Sequence, residues 1–152
     1  MKLRQYQDSD DGEVGKIFYE TVYTVNAKDY TQKQLNAWIP QDTNYLELAK
    51  SRILQRDAIV AVDDKKIIGF GSININGYLG WLFVQKDNIG KGVGTAICNE
   101  LEGRCQNNLI LTDASISAKP FFEKRGYIVI KERKARQNSI MMQTYYMAKF
   151  IK

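Results

Sequence analysis

The stretch Leu82-Phe83-Val84-Gln85-Lys86-Asp87-Asn88-Ile89-Gly90-Lys91-Gly92-Val93-Gly94-Thr95-Ala96-Ile97 carries the clearest chemical signal of the chain. An apolar strand leads into a short polar turn, then into alternating glycines, then into a helix. Alternating glycines let the backbone curl so that its N–H groups converge on one spot. That spot lies at a helix start, where the peptide dipoles add roughly half a positive charge. Donors and dipole together favour a phosphate or pyrophosphate. The spacing is not that of a Walker loop, since no Gly-Lys-Ser/Thr follows. Nor is it a Rossmann G-x-G-x-x-G, because the glycines fall as G-x-G-x-G. A glycine-rich turn also serves tight strand-to-helix packing alone, and both readings stand on this segment by itself.

A second segment lies about 20 residues further on: Ser115-Ile116-Ser117-Ala118-Lys119-Pro120-Phe121-Phe122-Glu123-Lys124-Arg125-Gly126-Tyr127. Taken together, the two segments resemble the GNAT superfamily of acetyl-CoA-dependent N-acetyltransferases. That family writes its pyrophosphate loop Gln/Arg-x-x-Gly-x-Gly/Ala and its second motif Asn-x-x-Ala-x-x-Phe-Tyr-x-Lys-x-Gly-Phe. Gly90, Lys91, Gly92, Val93 and Gly94 fit the first, and Ala118, Phe121, Lys124 and Gly126 fit the second. Ile89 stands where Gln or Arg is usual, Ser115 where Asn is, Phe122 where Tyr is and Tyr127 where Phe is. An Ala-Ser-Ile-x-Ala-Lys-Pro-Phe-Phe run is similar to that of a small uncharacterised branch. The likeness covers nearly the whole chain, best from Ala58 to Lys152.

The resemblance implies an α/β (α+β) fold with a mixed, mostly antiparallel sheet of six to seven strands. The sheet splays between strands 4 and 5 and is flanked by helices. It implies that acetyl-CoA lies along Leu82, Phe83 and Val84 and on the loop Ile89, Gly90, Lys91, Gly92, Val93, Gly94 and Thr95. Ser115, Phe121, Phe122 and Lys124 complete that set. The pantetheine arm is expected between Trp81–Val84 and Leu109–Thr112, paired to backbone like an added strand. A main-chain N–H near Phe83 or Val84 then polarises the thioester carbonyl. An acceptor amine attacks directly, with both substrates bound and no covalent enzyme intermediate. Losing Gln or Arg at Ile89 removes one charge-assisted contact, worth about 1–2 kcal/mol. In many members a tyrosine at the Phe122 position protonates the leaving thiolate. Here Tyr78, Tyr127, Tyr145, Tyr146, Ser115 or water is left for that task. Asp113 can drain a proton through water or serve as a turn carboxylate, while Asp29 and Glu20 can meet a cationic amine. Tyr23, Tyr30, Trp38 and Trp81 are the aromatic candidates for the acceptor wall, some of which must fill the core.

Composition narrows the chemistry. The chain of 152 residues suits a single domain, 1–152, with one core. It contains no histidine, which excludes Ser-His-Asp and Cys-His catalysis and His-ligated zinc. Any general base is a carboxylate, tyrosine, lysine, terminus or water. Cys98 and Cys105 share a helix face at a spacing that puts their Cα atoms about 10 Å apart, too far to bridge. They read as small apolar residues in a reducing cytoplasm, with no metal expected. No apolar run approaches the ~20 residues that span a bilayer, and the first residues lack a signal-peptide core. A cytoplasmic protein without a membrane partner is therefore expected. The net charge of +5 fits a solvated surface or attraction of coenzyme A. The cluster Lys131, Arg133, Lys134 and Arg136 has no stacking-aromatic RNA motif beside it, so nucleic acid is the least supported partner. The acceptor is expected to be an amine on a small molecule or peptide. Homodimers are common on this fold. Two alternatives to an enzyme are a coenzyme A-binding module without turnover and a basic nucleic-acid-associated protein.

The elements that position these groups follow from periodicity. Residues 2–7 read as a strand, and Asp8-Ser9-Asp10 offers N-caps for a helix with the stripe Val14, Ile17, Phe18, Thr21, Val22, Val25. Thr31-Gln32-Lys33-Gln34 has the form of a capping box, opening a short helix that stops before Pro40. A further helix is expected from about Asn44 to Arg56. Ala58–Val62, Ile67–Asn74 and Tyr78–Val84 form a meander, with Asn76-Gly77 predicting a type I′ turn. The next helix buries Val93, Ile97 and Leu101. Leu109–Thr112 is a strand, Ser117–Lys124 a helix, and Tyr127–Lys134 and Met141–Phe150 a final antiparallel pair.

Overall fold

A computed structural model describes residues 1–38, 57–137 and 140–151. The strands are β1 (Lys2–Gln5), β2 (Asp57–Asp63), β3 (Lys66–Ile73), β4 (Tyr78–Val84), β5 (Leu109–Ser115), β6 (Ile128–Gln137) and β7 (Ile140–Phe150). The helices are α1 (Asp11–Thr24), α2 (Gln32–Trp38), α3 (Val93–Arg104) and α4 (Lys119–Lys124). The strands form one sheet in the order β1-β2-β3-β4-β5-β7-β6. Every pairing is antiparallel except β4 with β5. The expected helix over Asn44–Arg56 lies outside the described residues. No helix among them is long and apolar enough to cross a membrane.

Each sheet face carries its own core. Val14, Phe18 and Val22 of α1 pack on Phe70, Trp81 and Met142. On the other face Val93, Ile97 and Leu101 of α3 cover Ile59, Leu79, Ile110 and Met147. Each such side chain contributes about 1.5–3 kcal/mol by leaving water. Glycine on β3 lets α3 come close: a Cβ on Gly71 would lie 2.7 Å from Ile97 Cγ2, and one on Gly69 2.9 Å from Val93 Cγ1.

Several local expectations are corrected. Asp64 and Lys65 adopt φ of 51° and 63° and form the two-residue turn with both central residues left-handed. At 74–77 only Gly77 has positive φ, +85°. Its N–H bonds Asn74 O at 3.0 Å. The Asn74 carboxamide accepts from the N–H groups of Asn76 and Tyr78, holding a longer loop than the type I′ turn expected. Asp10 makes no side-chain cap on α1. It binds Arg4 through two bonds of 2.8 and 2.9 Å and accepts the Gln7 N–H at 2.8 Å. The capping box at Thr31 is present in both directions, Gln34 N–H to Thr31 Oγ1 at 3.1 Å and Thr31 N–H to Gln34 Oε1 at 2.9 Å. β5 runs on through Ser115, so Asp113 and Ser115 sit within the strand, and α4 starts at Lys119 rather than Ser117. Cys105 lies just past the end of α3 and is half-buried, whereas Cys98 is buried.

Candidate functional site

The sheet forks at its middle. β4 and β5 pair only at Tyr78↔Leu111 and Leu79↔Thr112. The expected gap opposite Leu109–Thr112 therefore opens only beyond Thr112. A bulge is the local cause. Ser72 faces Trp81 while Ile73 faces Leu79, which leaves Gly80 as an extra residue in β4. Past it, β4 follows β3 to the pair Gly69↔Val84 and leaves β5. Gln85 N–H bonds Ile68 O at 2.8 Å. By the alternation of an antiparallel ladder, Phe83 then faces β3, and Leu82 and Val84 turn their N–H groups toward the fork.

At the end of β4 the chain makes one tight turn. Gln85 Oε1 accepts from Asp87 N–H at 2.9 Å and from the Asn88 amide at 2.7 Å. Gly90 and Gly92 follow with φ of +82° and +85°. No atom lies within 4 Å of where a Cβ on either would stand. Strain and not crowding selects glycine there, and the surface of the loop is open. The first helical bond of α3 is Ala96 N–H to Gly92 O, 3.0 Å. The N–H groups of Val93, Gly94 and Thr95 precede it and have no intrahelical carbonyl. Loop and helix start thus present a row of main-chain donors with room beside them.

The fork opens into a cleft of about 820 Å³. Ile89 and Gly94 border it at the loop end, Leu82, Phe83 and Val84 along β4, and Ser115, Phe121 and Phe122 from the other side. Tyr78, Asp113, Tyr30, Trp38 and Trp81 also line it. Lys124 is exposed on α4 and Tyr23 lies outside the lining. The Tyr23 hydroxyl donates to Asn36 Oδ1 at 2.9 Å and ties α1 to α2. Tyr30 is largely structural too. Its hydroxyl donates to Gln143 O and accepts the Ile116 N–H, each at 2.9 Å. Asp29 accepts the Ser117 hydroxyl at 2.6 Å. On the other flank, Thr21 Oγ1 reaches Val84 O at 3.4 Å. The loop 25–30 is therefore strapped across the fork.

The structure sorts the titratable candidates. Tyr78 donates its hydroxyl to Asp113 Oδ2 at 2.7 Å. Arg133 Nη1 stands 3.7 Å from Asp113 Oδ1, and its guanidinium lies 3.7 Å over the Tyr146 ring. Tyr127 is set apart from the cleft, donating to Glu102 Oε2 at 2.8 Å behind α3. Burial and the Glu102 charge hold its hydroxyl protonated far above the usual tyrosine range. Burial also pushes the Cys98 thiol up to about 12, so it is no nucleophile. Phe122 is 3% exposed and packs edge-on against Phe121 and Tyr127, with ring centroids 5.3 and 5.0 Å apart. Ser115 Oγ accepts the Ala118 N–H at 3.1 Å.

Among the cleft residues that sequence reading did not place there are Asn26, Arg133, Lys134 and Thr144. Arg133 and Lys134 belong to the basic cluster weighed above as a nucleic-acid signal. Pairing places Arg133 opposite Thr144, which only the fold reveals. No spacing marked Asn26 or Thr144.

Comparisons with known proteins agree with this geometry. A family model described as an acetyltransferase (GNAT) domain matches residues 26–149. The uncharacterized N-acetyltransferase YafP of Escherichia coli (strain K12) is 30% identical over 149 residues, covering 97% of this chain and 94% of that protein. A GCN5-related N-acetyltransferase structure from Rhodopseudomonas palustris superposes with TM-score 0.92 at 26% identity, covering 99% and 95% of the two chains. The PaiA N-acetyltransferase of Thermoplasma acidophilum, solved with coenzyme A, has the same fold. Its TM-score is 0.73 at 16% identity, over 98% of both chains.

Proposed function

The chain belongs to the GNAT family of acetyltransferases, and from that premise we propose that it moves acetyl from acetyl-CoA to a primary amine by direct attack with both substrates bound. The observation that carries this reading is the continuous path from the open glycine loop, along the free edge of β4, to Tyr78 and Asp113. The residues fit the donor molecule. The loop offers main-chain N–H groups and open space at Gly90 and Gly92 for a pyrophosphate. The β4 edge offers unpaired backbone for an amide-bearing arm. When bound, acetyl-CoA supplies an activated acetyl group and a thiolate that departs with the electrons of the C–S bond.

The protein's own groups do the rest. Val84 N–H, on the fork side of β4, donates to the acetyl oxygen as negative charge gathers there. Asp113 takes the proton that the amine loses on forming its bond to carbon, directly or through water. Tyr78 holds one oxygen of that carboxylate, and Oδ1 lies 3.7 Å from Arg133 Nη1. Trp81, Tyr30 and Trp38 wall off water on the acceptor side.

Phe122 supports a second reading, a coenzyme A-binding module without turnover. It places a buried, hydroxyl-free ring where many relatives in the family carry an acid. Two measurements decide. Titration calorimetry with acetyl-CoA is expected to give saturable binding that Gly92→Glu abolishes in a folded protein. Free-thiol release across an amine panel is expected to show turnover. Binding without release establishes the second reading, and intact affinity in Gly92→Glu removes the loop from the site.

A further inference from the structure

The acceptor end of the cleft has an unusual set of unsatisfied polar atoms. Among the described residues, Asn26 Oδ1, Asp113 Oδ1, Arg133 Nε and Thr144 Oγ1 are buried without a hydrogen-bond partner. All four residues line this cleft. Buried polar atoms are nearly always paired in folded proteins, so a cluster of exceptions in one cavity needs a cause. Ser72, Tyr6 and Arg125 also carry such atoms, but they stand apart from this cleft.

Their placement is ordered. Asp113 lies two residues before Ser115 on β5. Ser115 faces Thr144 on β7, and Thr144 faces Arg133 on β6. Donor and acceptor poles are adjacent, since Arg133 Nη1 and Asp113 Oδ1 are 3.7 Å apart. That separation is too long for a hydrogen bond, so each group keeps capacity for another partner. Asn26 adds a neutral acceptor from the loop that crosses this face of the sheet. The charged side chains lining the cleft among the described residues are Asp113, Arg133 and Lys134, one acid against two bases. A plain monoamine would bring a cation to a lining whose described charges are net positive. A ligand with a carboxylate beside its amine would satisfy both poles.

We propose that the acceptor is an amine carrying a carboxylate a few bonds away, an amino-acid-like molecule. Its amine meets Asp113 and its carboxylate meets Arg133 and Thr144. This rests on the acetyltransferase reading above. Arg133 suits the role because its planar fork matches a carboxylate, and Tyr146 beneath the guanidinium fixes its plane.

The test uses three matched series: phenylalanine, alanine and lysine, each beside its carboxamide and its decarboxylated amine. Thiol release from acetyl-CoA is measured for all nine. In at least one series the acid is expected to exceed both analogues in kcat/KM by roughly tenfold or more. Arg133→Gln is expected to raise KM for that acid by roughly tenfold to a hundredfold, the worth of one charge-assisted bond. The decarboxylated amine should lose at least tenfold less than the acid, since any effect through Asp113 is common to both and only the acid loses a carboxylate bond. Should Arg133→Gln not fold, Arg133→Lys carries the same test, since it keeps charge and loses the fork. Amides or decarboxylated amines turning over as well as the acids in every series overturn the proposal, as does a variant that weakens all three analogues alike. Absence of turnover with every acid overturns it too. Calorimetry with acetyl-CoA then tells how far the failure reaches. Retained binding means that only the acceptor class is wrong, while lost binding removes the acetyltransferase reading itself.

Discussion

In the proposed reaction Asp113 and Phe122, both on the β5 side of the fork, bear on different halves of the proton traffic. Asp113 keeps one oxygen on Tyr78 and the other buried without a hydrogen bond, 3.7 Å from Arg133 Nη1. Asp113→Asn preserves shape and the Tyr78 contact but cannot take a proton. It is expected to lower kcat/KM by about 10²- to 10⁴-fold with unchanged acetyl-CoA affinity, measured by steady-state kinetics and calorimetry. An activity within threefold of the parent would assign the proton to water alone. Phe122 sits in a packed apolar cluster, so a hydroxyl added there must find either a partner or the cleft. Phe122→Tyr is expected to leave acetyl-CoA affinity within a few-fold, since the ring already fits. A rise in turnover would show that thiolate protonation limits the parent protein. No rise would agree with a thiolate stable enough to leave unaided.

α3 is the element on which the loop depends, and two features hold it. One is the close approach over Gly69 and Gly71. Gly71→Ala drives a methyl to 2.7 Å from Ile97 Cγ2 and 3.1 Å from Leu101 Cδ1. It is expected to cost about 1–3 kcal/mol in thermal or denaturant unfolding and to weaken acetyl-CoA binding through displacement of the helix start. The other feature is Glu102, which accepts from Arg125 Nη2 at 2.9 Å, Lys149 Nζ at 3.0 Å and the Tyr127 hydroxyl at 2.8 Å. It ties α3 to the turn after α4 and to β7. Burial pushes the Glu102 carboxyl upward, but the donors from Arg125, Lys149 and Tyr127 outweigh it and the net shift is down. A lowered folded-state pKa means stability present above the unfolded value, about 4.3, and lost as pH falls through the folded value. Glu102→Gln is expected to lose about 3 kcal/mol at neutral pH, because Arg125 and Lys149 are left without their counter-charge. Its melting temperature should fall less steeply below pH 4 than that of the parent. Parallel acid limbs for the two proteins would show that Glu102 carries no part of the acid sensitivity.

At the scale of the molecule, the sheet consists of two parts, β1–β4 and β5–β7, that share only two backbone pairs at the fork. That division explains what the sequence disclosed. The strands of the meander, the α1 stripe from Val14 to Val22, the capping box at Thr31 and the spacing of Val93, Ile97 and Leu101 are local patterns, and these stand as read. The glycine loop was legible because its φ values near +85° restrict the residue type. The grouping of Asp113 with Thr144 and Arg133 was not, because they meet across three strands that only tertiary pairing brings together. The Asn76-Gly77 misreading has a similar origin: the Asn74 carboxamide holds that loop, and dipeptide signals do not see it. The same division predicts how a ligand acts on the whole fold. Besides the two pairs, links between the parts include Thr112 Oγ1 donating to Leu79 O at 2.8 Å, the Tyr78 hydroxyl donating to Asp113 Oδ2 at 2.7 Å and the strap from Thr21 through Tyr30. A molecule filling the fork adds backbone bonds to β4 and contacts to β5. Acetyl-CoA at about a hundred times its Kd stabilises the native state by roughly 2.7 kcal/mol. For a chain of this length that raises the melting temperature by about 5–10 °C. Hydrogen exchange is expected to slow at Leu82, Val84 and the N–H groups of 89–95, and also at Asp113–Ser117 across the gap. Protection confined to the loop, with both fork edges exchanging as before, would place the thioester arm outside the cleft and leave Asp113 without a reacting partner.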